Sequence, residues 1–284
     1  MALFTAIFVL SASSWVLATP VARPHSQSNI VWDGRIDDCF TVKDFDSTPP
    51  SPYSQGSVHG SKNLSGYIRL PNVQPDLFDI VGKTKPFEVT IEYVAASTTK
   101  WNVALTYCFD SDTSVFVPGG NAPQNVFLET AAYDAHQFTM KTGTPYNNAT
   151  KGKIPSTQTL RIESSTNGGV SETTLFETYY TLNDWHNFAL ELDFTKNTIT
   201  GYYSKNHDNL KVVIPTKANN NAGGGLYHFG ILKLPASGTG NGSVTISGYQ
   251  PSGINEGQYY GGIFIEDTSA QPVTTNVSPS GWKL

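Results

Sequence analysis

Asp184-Trp185-His186-Asn187-Phe188-Ala189-Leu190-Glu191-Leu192-Asp193-Phe194 decides the fold. Phe188, Leu190, Leu192 and Phe194 fall on one side of an extended chain, and Ala189, Glu191 and Asp193 on the other. A helix would wrap those apolar residues around its axis, whereas a strand lays them on one buried face. Asp193-Phe194-Thr195-Lys196-Asn197 then has the composition of a hairpin turn, which leads into a second strand over Asn197 to Tyr203.

The same period recurs outward from this hairpin. Phe87, Val89, Ile91 and Tyr93 alternate with Glu88, Thr90 and Glu92. Leu210 to Ile214, Val244 to Tyr249 and Tyr260 to Glu266 are further strand candidates, and Asn219 to Gly225 reads as a longer loop. Only Pro75 to Val81 suggests a short helix. Many strands, Gly/Asn/Pro turns and no helical period predict an all-β chain: a single-domain β-jelly roll, in which two sheets form a sandwich. Alternate side chains of a curved sheet of this kind can line a groove.

Charged residues make up 14% of the 284 residues, the net charge is -5, and no run of Lys or Arg occurs. A nucleic-acid backbone needs a basic stripe, so nucleic acid is excluded as a partner. No segment is long and apolar enough for a membrane helix, and no metal-ligand cluster is visible, so neither a membrane nor a cofactor is implied. The chain is expected to be a monomer.

Met1 to Ala18 is apolar with interspersed serines, too short to span a bilayer, and ends in small residues that suit a signal peptidase. Residues 1–18 are therefore read as a signal peptide, 24–268 as the β domain and 269–284 as a flexible tail. The exported chain would begin at Thr19, or at Arg23 if the cut follows Ala22. Sequons at Asn63, Asn148, Asn241 and Asn276 fit a secreted, extracellular glycoprotein. Cys39 and Cys108 are the only cysteines, too few for a disulfide framework.

Several strand-like runs carry polar groups: Ile30-Val31-Trp32-Asp33-Gly34-Arg35, Val58-His59-Gly60-Ser61, Val126-Phe127-Leu128-Glu129-Thr130, Tyr227-His228-Phe229-Gly230-Ile231-Leu232-Lys233 and Gly261-Gly262-Ile263-Phe264-Ile265-Glu266-Asp267. In this order, and with the Asp184–Phe194 stretch among them, they resemble glycoside hydrolase family 131, secreted fungal β-glucanases built on a β-jelly roll. The resemblance covers about Ile30 to Asp267. It implies hydrolysis of β-1,3-, β-1,6- or β-1,4-linked glucans of fungal or plant walls, with a glucan polysaccharide or oligosaccharide as the partner.

Glycoside cleavage requires one group to protonate the leaving oxygen and another to activate water or attack the sugar. Glu129 ends an apolar strand, where partial desolvation suits acid work. Alone it reads as an edge-strand Glu paired with a lysine; the resemblance reverses that order and assigns it to the active site. His228 shares a strand face with Leu226 and Gly230. Such a histidine is often a core residue, but Gly230 leaves space beside it, and the resemblance places a functional histidine in this strand. Glu129 and His228 are thus the catalytic candidates. His59, near the cleft, His136 and Gln137, which reach either sugar hydroxyls or solvent, and Tyr227, a stacking platform or a core residue, are the substrate-binding candidates. Tyr133, Trp101 and Trp185 share that last ambiguity, and His186 reads as structural. Glu266 and Asp267 are adjacent on a strand, point to opposite faces and cannot act as a pair.

One family feature is missing. The resemblance calls for an Arg-Arg-x-Glu segment ahead of the Glu129 strand, but the chain has no Arg-Arg pair, and Asn121-Ala122-Pro123-Gln124 runs almost directly into Val126. Tyr93 to Phe109 looks foreign to the pattern. Both changes are abrupt, as expected if a translated intron is retained around Val94 to Phe109 and an exon is skipped near Asn125. The alternative is a glucan-binding jelly roll that has lost one catalytic partner. Sequencing the transcript is expected to reveal a message that differs at both places; a message encoding the chain as it stands refutes the splicing explanation.

Overall fold

The hairpin that opened the sequence reading is present, with every residue from His186 to Asp193 paired across to Lys205 through Thr198. Its turn is held by Asp193, whose Oδ1 accepts the amides of Thr195 and Lys196 at 2.9 and 2.7 Å. Asn197 takes a left-handed φ of 52° there, a conformation asparagine tolerates. The computed structural model describes residues 8–12, 30–58, 62–92, 124–142, 159–168, 172–179, 181, 184–232, 255–269 and 272–275.

The strands in chain order are β1 (Phe8–Ala12), β2 (Ile30–Asp33), β3 (Ile36–Asp37), β4 (Ser54–Val58), β5 (Ile68–Arg69), β6 (Thr84–Lys85), β7 (Phe87–Glu92), β8 (Gln124–Glu129) and β9 (His136–Thr142). They continue with β10 (Thr159–Glu163), β11 (Thr174–Tyr179), β12 (His186–Asp193), β13 (Thr198–Lys205), β14 (Lys211–Ala218), β15 (Leu226–Leu232), β16 (Asn255–Tyr260) and β17 (Phe264–Glu266). The largest sheet has the order β11-β10-β9-β8-β15-β1-β4, with each of its strand pairs antiparallel. Smaller sheets, β12-β13-β14 and β16-β7-β5, contribute to the same core. This is the expected all-β jelly roll, with short 3₁₀ turns at Val42–Asp46 and Leu64–Tyr67 as the only helical pieces among the described residues.

The core follows from strand alternation. Val126 and Leu128 of β8, Phe138 and Met140 of β9, Leu160 and Ile162 of β10 and Phe229 of β15 all face inward. They meet Phe45, Tyr53, Phe87 and Val89 on one side and Ile199 and Ile214 on the other. Trp32 stacks on Phe229 with centroids 6.0 Å apart, and buried Tyr53 donates its hydroxyl to the Gly34 carbonyl at 2.8 Å. A cavity of about 320 Å³ remains on this inner side, between Val126, Phe138, Met140 and Tyr227 and the half-buried Phe188, Leu190 and Leu192.

Two sequence expectations change. Pro75 to Val81 is a string of bends, not a helix. Buried Asp76 accepts the amides of Phe78 and Asp79 at 2.6 and 2.7 Å, so its side chain takes donors that a helix would have used. Burial pushes the Asp76 carboxyl well above the usual range, and the neighbouring Asp79 charge adds to this. Tyr260 to Glu266 is two strands, β16 and β17, separated where Gly262 adopts φ 57° and its amide approaches Asp79 at 3.3 Å. The candidate strand Val244 to Tyr249, the stretch 94–109, Cys108, Trp101 and the sequons at Asn148, Asn241 and Asn276 lie outside the described residues. Cys39 is exposed and free.

Two further segments bear on the domain limits. Phe8–Ala12, inside the stretch read as a signal peptide, forms β1 between β15 and β4. In the stretch read as a tail, Thr274 donates its amide and hydroxyl to Glu266, both at 2.7 Å, and the Thr275 carbonyl accepts the Leu210 amide at 2.8 Å.

The loop entering β15 is set by glycines. Gly225 has φ 141°, and a Cβ there would lie 1.7 Å from the Glu129 carbonyl oxygen. Gly225→Ala is therefore expected to cost about 2 kcal/mol or more, because both the backbone conformation and a backbone contact must give way. Urea denaturation measures this; an unchanged midpoint contradicts the account.

Candidate active site

The outer face of the large sheet carries the residues opposite in parity to the core set, joined by His136 where the register shifts between Leu128 and Glu129. Cross-strand partners point to the same side, so the register places Glu129 beside Leu226 and His136, His228 beside Phe127, and Phe127 beside Thr139. Lys141 then stands beside Arg161, and Arg161 beside Glu177. A sheet with one apolar face buried has thus collected its polar residues on the other.

Glu129 lies between two imidazoles. Its Oε2 is 3.2 Å from His228 Nε2, and its Oε1 is 3.9 Å from His136 Nε2. The Phe127 ring forms the floor, stacked on His228 at 4.5 Å and tilted against His136 at 4.9 Å. His228 is 3% exposed, and neither ring nitrogen makes an aligned hydrogen bond. A buried polar group left unsatisfied carries an energetic cost, and such groups mark places where structure serves something other than stability.

Beyond His136 the face continues as an ionic network. His136 Nδ1 is 3.8 Å from Glu172 Oε1 and 3.3 Å from the Thr139 hydroxyl, which donates to the same carboxylate at 3.1 Å. Lys141 pairs with Glu172 and, at 2.7 Å, with Glu163. Arg161 approaches Glu163 at 3.4 Å and Glu177 at 3.7 Å. Burial alone would raise the Glu172 pKa; the nearby His136 ring and the Lys141 charge outweigh it and bring the carboxyl down to about 2. Side-chain exposures of 21%, 19% and 22% make Glu129, His136 and Glu172 the accessible rim, while His228, Arg161 and Glu163 lie almost fully beneath.

Of the sequence candidates, the structure brings together Glu129, His228 and His136. It does not bring Tyr227 or Gln137 to them as sugar contacts. Tyr227 neighbours His228 in sequence and so takes the opposite face, where it packs against the core and lines the inner cavity. Gln137, fully buried, donates to the carbonyls of Ala222 and Gly224 at 3.1 and 2.6 Å and so clamps the loop before β15. His59 lies outside the described residues. Trp185 is buried and donates to the Gln74 carbonyl at 3.1 Å, whereas Tyr133 is exposed in the turn after β8. His186 is structural: burial, and then Lys205, lower its pKa to about 4, with its Nε2 accepting the Thr181 amide. The inner cavity belongs to the opposite side of the sheet from Glu129, so it is not this site.

Lys141, Arg161, Glu163 and Glu172 were missed by sequence reasoning. The signal was present in Leu160 and Ile162 alternating with Arg161 and Glu163, and in the alternation of Phe138 and Met140 with Thr139 and Lys141. Among the described residues no cluster of three or more His, Cys, Asp or Glu has the geometry to hold a metal ion. Nor is any described helix long and apolar enough to cross a membrane.

The glycoside hydrolase 131 catalytic N-terminal domain family matches residues 30–106 and 119–270, and the chain belongs to that family. The match takes in residues 94–106 and breaks over 107–118, a narrower gap than the foreign stretch inferred from sequence. Two solved structures share the fold. One is a GH131 β-glucanase catalytic domain from Podospora anserina, 20% identical, with TM-score 0.56 over 87% of this chain and 98% of that one. The other is the catalytic domain of a glycoside hydrolase family 131 protein from Coprinopsis cinerea, 22% identical, with TM-score 0.50 over 87% and 97%. No curated protein matches the chain.

The Glu172 shift carries a pH consequence. Its folded pKa of about 2 lies below the ordinary 4.5, so its stabilisation is fully present above about 4.5 and is lost as pH falls through about 2. Acid unfolding followed between pH 5 and 2 is expected to be less steep in Glu172→Gln than in the parent chain. Equal slopes contradict the assignment.

Proposed function

We propose that the chain is an exported hydrolase of β-glucans, acting on β-1,3-, β-1,6- or β-1,4-linked chains of fungal or plant walls. The observation that carries this reading is Glu129, a rim-accessible carboxyl group whose two oxygens each face an imidazole, in a chain of a glycoside hydrolase family. A solved structure of the same fold is titled a β-glucanase. The leader-like Met1 to Ala18 and the four sequons support export.

In this reading Glu129 protonates the leaving glycosidic oxygen, and His228, 3.2 Å from the other carboxyl oxygen, modulates its charge as the proton leaves. The ring of Phe127 beneath the three groups keeps water from one side, which strengthens their electrostatic coupling. The second carboxyl group would come from the Arg-Arg-x-Glu segment that the resemblance calls for.

A specific observation supports a second reading, a glucan-binding jelly roll without turnover. The chain has no Arg-Arg pair, and Glu172, a second rim carboxylate beside His136, is bound to Lys141 and Thr139.

Reducing-sugar release from laminarin and from cellulose separates the two. With the Arg-Arg-x-Glu segment restored, the chain is expected to release sugar, and Glu129→Gln in it to release sugar roughly 100-fold more slowly while still binding glucan. Equal turnover by Glu129→Gln removes Glu129 from the chemistry. Binding by both proteins with release by neither establishes the second reading.

A further inference from the structure

We infer that His136 is not a sugar-binding residue but the proton carrier of Glu129, fixed as the Nδ1–H tautomer by Thr139 and Glu172. The inference rests on the hydrolase reading for its catalytic half and on geometry alone for its tautomer.

The geometry is a proton count. Thr139 has one hydroxyl proton, and its oxygen lies 3.1 Å from Glu172 Oε1 in donor geometry. An ionised carboxylate can only accept, so the Thr139 proton is spent on Glu172. The same hydroxyl oxygen, 3.3 Å from His136 Nδ1, is left to act as an acceptor, which requires a proton on Nδ1. Glu172 Oε1, 3.8 Å from that nitrogen, favours the same proton electrostatically. In the neutral ring Nε2 then presents its lone pair towards Glu129 Oε1, 3.9 Å away.

Other groups around the ring agree. Glu129 and Phe127 face it from β8, Thr139 from its own strand and Glu172 from the segment preceding β11, with Lys141 behind Glu172. The backbone is fixed as well: the His136 amide donates to the Thr166 hydroxyl at 2.8 Å, and its carbonyl accepts the Thr166 amide at 2.9 Å. The ring is thus oriented from one side and free to exchange a proton on the other. A gap of 3.9 Å is longer than a hydrogen bond, and catalytic contacts of this kind tighten when substrate closes the site.

The step balances. Hydrolysis breaks the glycosidic C–O bond and forms a new C–O bond to water; Glu129 gives its proton to the leaving oxygen while the water loses one. His136 takes up at Nε2 the proton that the water has lost, becomes imidazolium, passes that proton to Glu129 Oε1 and returns to its Nδ1–H form. Glu172 and Thr139 are positioning residues: they touch neither sugar nor Glu129.

The test has a structural and a kinetic arm. Long-range ¹H–¹⁵N NMR of the imidazole rings, with the chain labelled at histidine, is expected to show His136 protonated at Nδ1 in its neutral form. Thr139→Val keeps the side-chain shape and removes the bridge, so Nε2–H is expected to appear; Glu172→Gln is expected to weaken the Nδ1–H preference as well. An Nε2–H ring in the parent chain, or a tautomer unmoved by both variants, overturns the proposal. In laminarin hydrolysis with the Arg-Arg-x-Glu segment restored, His136→Gln is expected to lower kcat about tenfold at unchanged KM and to remove one limb of the pH profile. A raised KM with kcat unchanged returns His136 to sugar binding. Absence of glucan cleavage even with the Arg-Arg-x-Glu segment restored ends both the hydrolase reading and the proton-carrier role, and the tautomer is still decided by its own measurement.

Discussion

The Lys141 ammonium, on a strand otherwise packed into the core, is held between Glu163 and Glu172, and the outer face of the large sheet depends on it. Lys141 is 9% exposed, and a buried charge of this kind is tolerable only when its partners are in place. Its two carboxylates sit on different segments, β10 and the stretch before β11, so the ion cluster ties three parts of the chain together. Glu172 is fixed by Lys141, His136 by Glu172 and Thr139, and Glu129 is approached through His136. Site order is therefore inherited from an electrostatic requirement several residues from the carboxyl group expected to do chemistry.

The single sheet serves two incompatible solvents. Its inner side is Val126, Leu128, Phe138, Met140, Leu160, Ile162 and Phe229, and its outer side Glu129, His136, Thr139, Lys141, Arg161, Glu163 and His228. Bulges between Leu128 and Glu129 and between Phe229 and Leu232 lie at the ends of the very pairings that carry Glu129 and His228. Bulges re-aim side chains locally, which explains how Gln137 turns to the loop before β15 while His136 faces Glu129.

How much of this was legible varies with the range of the interaction. The hairpin from His186 to Lys205 was read from alternation and a turn signal, both local. Glu129, His228 and His136 were found as candidates, but what joins them is strand register between β8, β9 and β15, which no single stretch encodes. Tyr227 illustrates the limit: an aromatic beside a site histidine reads as either a sugar platform or a core residue, and pleating sends it to the core. Arg161 and Glu163 escaped notice because charged residues in a short strand resemble an exposed edge, whereas here they neutralise one another across strands. The expected helix at Pro75 to Val81 failed for a local reason, the capture of two amides by the Asp76 carboxylate.

Strand β1 makes the make-up of the sheet depend on the chain's history. Ser11 is paired with His228, and Phe8 and Val9 with Val58 and Ser57, so Phe8–Ala12 is an interior strand and not a fringe. If residues 1–18 are cut away on export, β15 and β4 each lose the neighbour that satisfies one row of their amides and carbonyls, and two raw edges open next to His228. The precursor and the processed chain would then offer different sheet edges to other strands, the processed chain adding the edge beside His228.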